Sequence, residues 1–249
     1  GAARDSLIGL RFVDGTGTVV KNGGRVMKNV TGYDLVKLLA GSHGTLGVIT
    51  EVSLKLQAIP EAETTLIAEG LADGVALGRL RAALGTPYDV SGAAHIGGRT
   101  LLRIEGLEGS VAYRAGALRM ALGGDWALAS GAESAALWRQ VRDVAPFAGA
   151  AGAVWRLVVR PSVAAGIVAA LPDARAVYDW GGGLIWLLTE AGADVRAAVA
   201  GHGHATLIRP LPGMTAPVFS AEAPAVAALS RGLRAKFDPR GILNAGVMG

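Results

Sequence analysis

The sequence predicts an α+β fold whose larger part is an antiparallel sheet made from two copies of one βαββαβ unit. Three observations predict it. Residues 64–130 and 153–209 show the same order of strand-like and helix-like stretches. Four of the five Lys lie in the first 55 residues and Ala-rich sequence sets in after Pro60, which places a boundary at 58–63. Apolar residues make up 51% of the 249, enough for a sizeable core. No apolar run nears the ~20 residues of a membrane span.

Before the boundary, residues 7–13 read as a strand, Asp14-Gly15-Thr16-Gly17 as a turn and 18–22 as the hairpin partner. Leu35, Val36, Leu38 and Leu39 are apolar at helical spacing, so 34–40 is a helix, ended by Gly41. Val48, Thr50, Val52, Leu54 and Leu56 alternate, which makes 48–56 a strand. The first copy then runs strand 65–68, helix 72–84, strands 90–96 and 100–105, helix 109–122 and strand 125–129. The second runs strand 154–160, helix 162–171, strands 175–180 and 184–189, helix 193–200 and strand 204–209. Each has the ferredoxin-like split order. Two such copies predict a single sheet with helices on one face and an open face left to cover another domain or a ligand. A helical linker at 133–144 joins them, and a last helix, 223–236, leads into a Pro- and Gly-punctuated tail.

The net charge of +4 and a pI near 9.7 raise the question of nucleic acid. The Arg residues are scattered among acids with no basic run, so no focused patch forms and no nucleic-acid partner is expected. Without Cys, disulfides, thiolate metal sites and cysteine nucleophiles are excluded, which fits a cytoplasmic setting. The chain opens Gly-Ala-Ala-Arg-Asp, without Met or a basic n-region, and reaches a strand within a few residues. That is the expected look of an excised piece. No Ser/His/Asp arrangement or carboxylate pair points to hydrolysis.

The sharpest local signal is Gly41-Ser-His-Gly-Thr-Leu-Gly47 running into Val48-Ile-Thr-Glu51. Glycines at a spacing of three between a helix and a strand let backbone pass close to another group. The spacing matches neither the dinucleotide fingerprint nor a phosphate loop. Spacing alone leaves a plain tight turn equally open.

The surrounding words shift the balance. Lys28-Asn-Val-Thr-Gly-Tyr-Asp-Leu35 followed by the glycine turn resembles the second half of the FAD-binding domain in the vanillyl-alcohol-oxidase family, the PCMH type. Arg4-Asp5-Ser-Leu-Ile-Gly9 is similar to the strand that leads into it there. Phe237-Asp-Pro-Arg-Gly-Ile-Leu-Asn-Ala-Gly246 is similar to the family's closing signature, with Ala245 where Pro is usual. Asp179-Trp-Gly-Gly-Gly183 and Gly203-His-Ala-Thr206 resemble the flavin-type subunits of bacterial glycolate-oxidising complexes.

The resemblance implies FAD lying between two α+β subdomains, with a cap sheet over its isoalloxazine ring. It assigns 1–60 to the second FAD subdomain, 61–222 to a substrate-holding cap, and 223–249 to a helix and tail returning to the FAD domain. The first subdomain, whose glycine-rich loop supplies most pyrophosphate contacts in the family, is missing. The chain by itself is therefore expected to hold FAD weakly and to be inactive. Carried over, Gly47, Val48 and Ile49 approach the adenosine half through main-chain groups, and Asn244 sits near the flavin ring. The implied activity is hydride transfer from the α-carbon of glycolate, or another small 2-hydroxy acid, to FAD. The implied partners are a homologous FAD-containing catalytic subunit and an iron–sulfur subunit, in the cytoplasm or held peripherally at the inner membrane. The alternative is a non-catalytic, structural flavin-type subunit, which the thin supply of acid–base residues in the cap favours.

Within the cap, Arg156 follows Trp155 on a strand among apolar neighbours, where an unpaired charge is costly. It suits either a substrate carboxylate or an internal salt bridge with Asp179 or Glu105. His202 and His204 are two apart and share a strand face. A metal needs a third ligand, so none is expected. His204 is instead the candidate proton acceptor beside Arg156, or a hydrogen-bonded structural histidine. His43 reads as an exposed turn residue, and His95 carries no signal. Trp180 and Trp186 read as cap core, and Gly181 to Gly183 as a hairpin turn.

Overall fold

The computed structural model describes residues 2–26 and 32–247, so residues 28–31 of the Lys28-to-Leu35 motif lie outside the described residues. The chain forms two compact units, residues 1–58 with 221–249, and residues 59–220.

The first unit opens with α1 (Ala3–Ser6), β1 (Leu7–Val13), β2 (Val19–Gly23), α2 (Leu35–Leu39) and β3 (Val48–Leu54). β1 is central, antiparallel to both β2 and β3. The β1–β2 turn is knotted by Asp14, whose carboxylate accepts from the Thr16 and Thr18 amides and the Thr16 hydroxyl. These bonds, led by the Thr16 hydroxyl, hold the Asp14 carboxyl below the usual carboxylate range. α2 is short, and its start is satisfied from two sides. Asp34 accepts from the Lys37 amide, and Asn22 of β2 from the Leu35 and Val36 amides. The core is small: Leu7, Leu10, Phe12, Val36, Leu39 and Leu46. β3 is the strand that the alternation predicts, ending at Leu54 rather than at 56. Val48, Val52 and Leu54 are all about half exposed, so its apolar face has no cover within this unit.

The second unit runs β4 (Ala62–Glu69), α3 (Asp73–Leu84), β5 (Gly92–Ile96), β6 (Arg99–Gly106), α4 (Glu108–Leu122), β7 (Ala127–Ser130), α5 (Ala132–Arg142), β8 (Ala153–Val159), α6 (Ala164–Ala169), β9 (Arg175–Asp179), β10 (Leu184–Thr189), α7 (Val195–Val199) and β11 (Gly203–Arg209). α8 (Pro224–Phe237) then returns the chain to the first unit. All eight strands form one antiparallel sheet in the order β11-β8-β10-β9-β5-β6-β4-β7, so each repeat supplies a four-strand half. Alternation along the strands sends Leu66, Leu102, Ile104, Trp155, Leu157 and Ile185 toward the four repeat helices. The opposite face is partly covered by the linker. On α5, Ser134, Leu137 and Val141 are buried, and Leu137 and Val141 pack with Phe147 on Ile96, Leu101, Val154 and Leu188. Ser134 and Trp138 both bond the Thr65 hydroxyl, at 2.7 and 2.8 Å.

The halves meet where β5 and β9 share a single registered pair, His95 with Tyr178. Side chains close this seam. The Tyr178 hydroxyl donates to Asp73 at 2.6 Å, and His95 Nε2 lies 3.5 Å from the same carboxylate while Nδ1 meets the Thr100 hydroxyl at 3.0 Å. Burial drives the His95 pKa down, against the pull of Asp73, so the neutral ring is the folded form. A folded pKa below the unfolded one gives stability that is present above the unfolded value of about 6.5 and lost as pH falls toward the folded value. The urea midpoint is therefore expected to fall between pH 7.5 and pH 5.5, and His95→Gln to remove part of that dependence. Equal pH slopes in both proteins would remove His95 from the account.

Candidate functional site

In the first unit, the segment from Gly41 to Gly47 folds as a compact turn. Gly41, His43 and Gly44 all take positive φ, and the turn is closed by Ser42 to Leu39 and Thr45 to Ser42 backbone bonds. The C-terminal tail braces it, since the Asn244 amide donates to the His43 carbonyl at 2.7 Å. A Cβ on Gly44 would sit 2.8 Å from that same amide. The four cofactor candidates from the sequence come together here: Gly47, Val48, Ile49 and Asn244 line one open cavity of about 740 Å³. Its rim is apolar where Val48, Ile49 and Ile242 stand exposed, and polar where the turn offers backbone groups.

That combination fits a flat heteroaromatic group read through main-chain bonds. Among the described residues no Lys or Arg lines the cavity, so it fits the adenosine of FAD better than its diphosphate. Two of these residues also make structural contacts within the unit. Asn244 spends its amide on the turn, so it shapes the site before it touches any ligand. Gly47 is buried, and its missing Cβ makes room for Phe12 behind it.

In the second unit, Trp155, Leu157 and Val159 of β8 and Ala205 and Leu207 of β11 enter the helix-covered core. Arg156, Val158, His204 and Thr206 consequently point to the other face. Register pairs Arg156 with Thr206 and Val158 with His204, so the two candidate site residues are diagonal neighbours. Such positions lie roughly 7–8 Å apart. The linker stops short of them: Arg156 is half-buried and His204 exposed.

The salt bridges that were the alternative for Arg156 do not form. Glu105 pairs with Arg103 at 3.1 Å, and Asp179 accepts from the Trp180 amide at 2.7 Å. Arg156 rests instead over the Trp180 ring, 5.7 Å from its centroid. Trp180 is half exposed, a correction to its reading as cap core, whereas Trp186 does pack against the apolar cluster beneath the linker. His202 lies just before β11 and bonds Arg160 at 2.7 Å, away from any shared site with His204. Asp179 is a residue the sequence undervalued. It lies on the same face as Arg156, and burial raises its pKa. The signal was its place before three glycines, where a carboxylate caps a turn.

No family model matches the chain. It is 35% identical over 255 residues to glycolate oxidase subunit GlcE of Escherichia coli (strain K12), an alignment covering 100% of this chain and 66% of that protein. It is 47% identical over 68 residues to glycolate oxidase subunit GlcD of Bacillus subtilis (strain 168), 27% of this chain and 14% of that one. Among solved structures, p-cresol methylhydroxylase with substrate bound matches with a TM-score of 0.67 at 14% identity, over 98% of this chain and 65% of that one. The last likeness concerns the fold alone. The chain spans about two thirds of the length of the relatives it matches end to end.

Proposed function

The chain belongs to the family of PCMH-type FAD-linked oxidoreductases that includes the E subunit of glycolate oxidase, and from that premise we propose that it is the second FAD subdomain and cap of a glycolate-oxidising subunit. Its partners in that reading are a homologous FAD-containing subunit and an iron–sulfur subunit, and its substrate is glycolate or another small 2-hydroxy acid. The observation that carries the reading is the diagonal pair of Arg156 and His204 on the uncovered part of the cap sheet, with no carboxylate taken by Arg156.

FAD, when bound, supplies the acceptor for the hydride of the substrate α-carbon. Gly47, Val48 and Ile49, which line the cavity, would hold the adenosine half, and Asn244 fixes the turn that presents them. Arg156 binds the substrate carboxylate through its planar fork of donors. His204 takes the hydroxyl proton as the hydride leaves. Trp186, cross-strand from Arg156, keeps water from one side. No helix of the described residues is long and apolar enough to cross a membrane.

The test is to add glycolate anaerobically to the isolated full-length subunit loaded with FAD. Bleaching of the flavin absorbance is the expected result. An unreduced flavin in a subunit whose assembled complex still turns over would make it the structural partner of the homologous flavoprotein.

A further inference from the structure

The backbone at Trp180 takes φ +53°, a left-handed conformation that a bulky side chain adopts only under constraint. The ring gains little burial in return, since 48% of the residue stays exposed. A strained and exposed tryptophan is held by its neighbours, and here both sides are fixed. Before it, Tyr178 is wholly buried and bonded to Asp73. After it, Gly181 and Gly182 lie flush against other elements. A Cβ on Gly181 would be 2.6 Å from Leu84 of α3, and one on Gly182 3.3 Å from the Pro161 carbonyl. The Asp179 carboxylate accepts from the Trp180 amide at 2.7 Å and forms no ion pair with Arg156. The indole is thereby presented to the Arg156 guanidinium.

We propose that Trp180 is a positioning residue: it supplies an aromatic platform that orients Arg156 and leaves the guanidinium donors free for a planar carboxylate. An ion pair with Asp179 would have fixed the same side chain and consumed those donors. A ring face attracts the cation and takes none of its N–H bonds. The proposal rests on the reading that Arg156 takes the substrate carboxylate.

The experiment is a double-mutant cycle in the assembled, FAD-loaded complex, with glycolate as substrate. Trp180→Ala is expected to raise KM about three- to thirty-fold, the range for a cation–π contact, with kcat changed less than KM. Trp180→Phe keeps a ring face and is expected to recover most of that loss. In an Arg156→Ala background, Trp180→Ala is expected to add little, since its partner is gone. A Phe variant no better than Ala, additive effects, or a Trp180→Ala defect confined to flavin content or assembly would overturn the proposal. If Arg156→Ala itself leaves KM unchanged, the carboxylate reading fails first and takes this one with it. If Arg156→Ala raises KM and Trp180→Ala does not, only the platform is wrong.

Discussion

Replacing Gly47 with valine is expected to empty the flavin site by unfolding the unit that carries it. A Cβ at this position would lie 2.6 Å from Phe12 Cδ2 and 3.0 Å from the Val13 carbonyl oxygen. Phe12 is completely buried at the centre of a six-residue core, so it has nowhere to yield. Overpacking of this kind costs ~1–3 kcal/mol, and valine adds two methyl groups to the Cβ that already clashes. A core this small has little stability to lose. The measurement is bound flavin per subunit in the complete protein, together with hydrogen exchange of the β1 amides. Both are expected to collapse while the eight-stranded sheet keeps its protection. Val48→Ala is the contrasting variant. Val48 is more than half exposed on the cavity rim, so its truncation is expected to weaken flavin retention with β1 intact. If Gly47→Val loses flavin while β1 stays protected, the glycine acts by direct approach to the cofactor, as the family resemblance implies.

The contrast between these two positions shows how far sequence reaches. The glycine turn was legible because three glycines between a helix and a strand leave few other conformations. Which atom fills the space beside Gly47 was not legible, since Phe12 comes from another strand. The duplicated sheet could be read because each strand repeats its own alternation, and the paired order fixes which strands are neighbours. The exposure of β3 could not, because period-two alternation reports a strand and says nothing of what covers it. The linker helix was placed correctly along the chain and wrongly left out of the sheet's second face. Its buried Leu137 and Val141 give spacing without a destination. His95 carried no signal, because its partners Asp73 and Tyr178 sit on α3 and β9 and meet it only across the seam. The facing of Arg156 and His204 followed from strand parity once the register was known. The platform under Arg156 did not, since a strained turn is invisible in a run of glycines.

Arg156→Ala carries the largest effect on substrate binding expected of a single side chain in the cap. A hydrogen bond to a charged group is worth ~1.5–3 kcal/mol, and each 1.4 kcal/mol is a factor of ten. Loss of the guanidinium is therefore expected to raise KM for glycolate by roughly ten- to a hundredfold in the assembled complex. Flavin content should hold, because Arg156 belongs to the second unit and the cavity lined by Gly47, Val48, Ile49 and Asn244 to the first. Arg156→Lys keeps the charge and loses the planar fork, so it is expected to recover only part of the affinity. His204→Ala should show the opposite split. Removal of a proton acceptor typically costs ~10²–10⁴ in kcat, with KM changing far less, because the carboxylate contact survives. The two variants together assign the roles. A substrate lacking the carboxylate, such as a simple alcohol, should also lose its sensitivity to Arg156→Ala while keeping its sensitivity to His204→Ala. Turnover and KM unchanged in both variants would place the chemistry on the homologous flavin subunit and leave this cap sheet a structural surface.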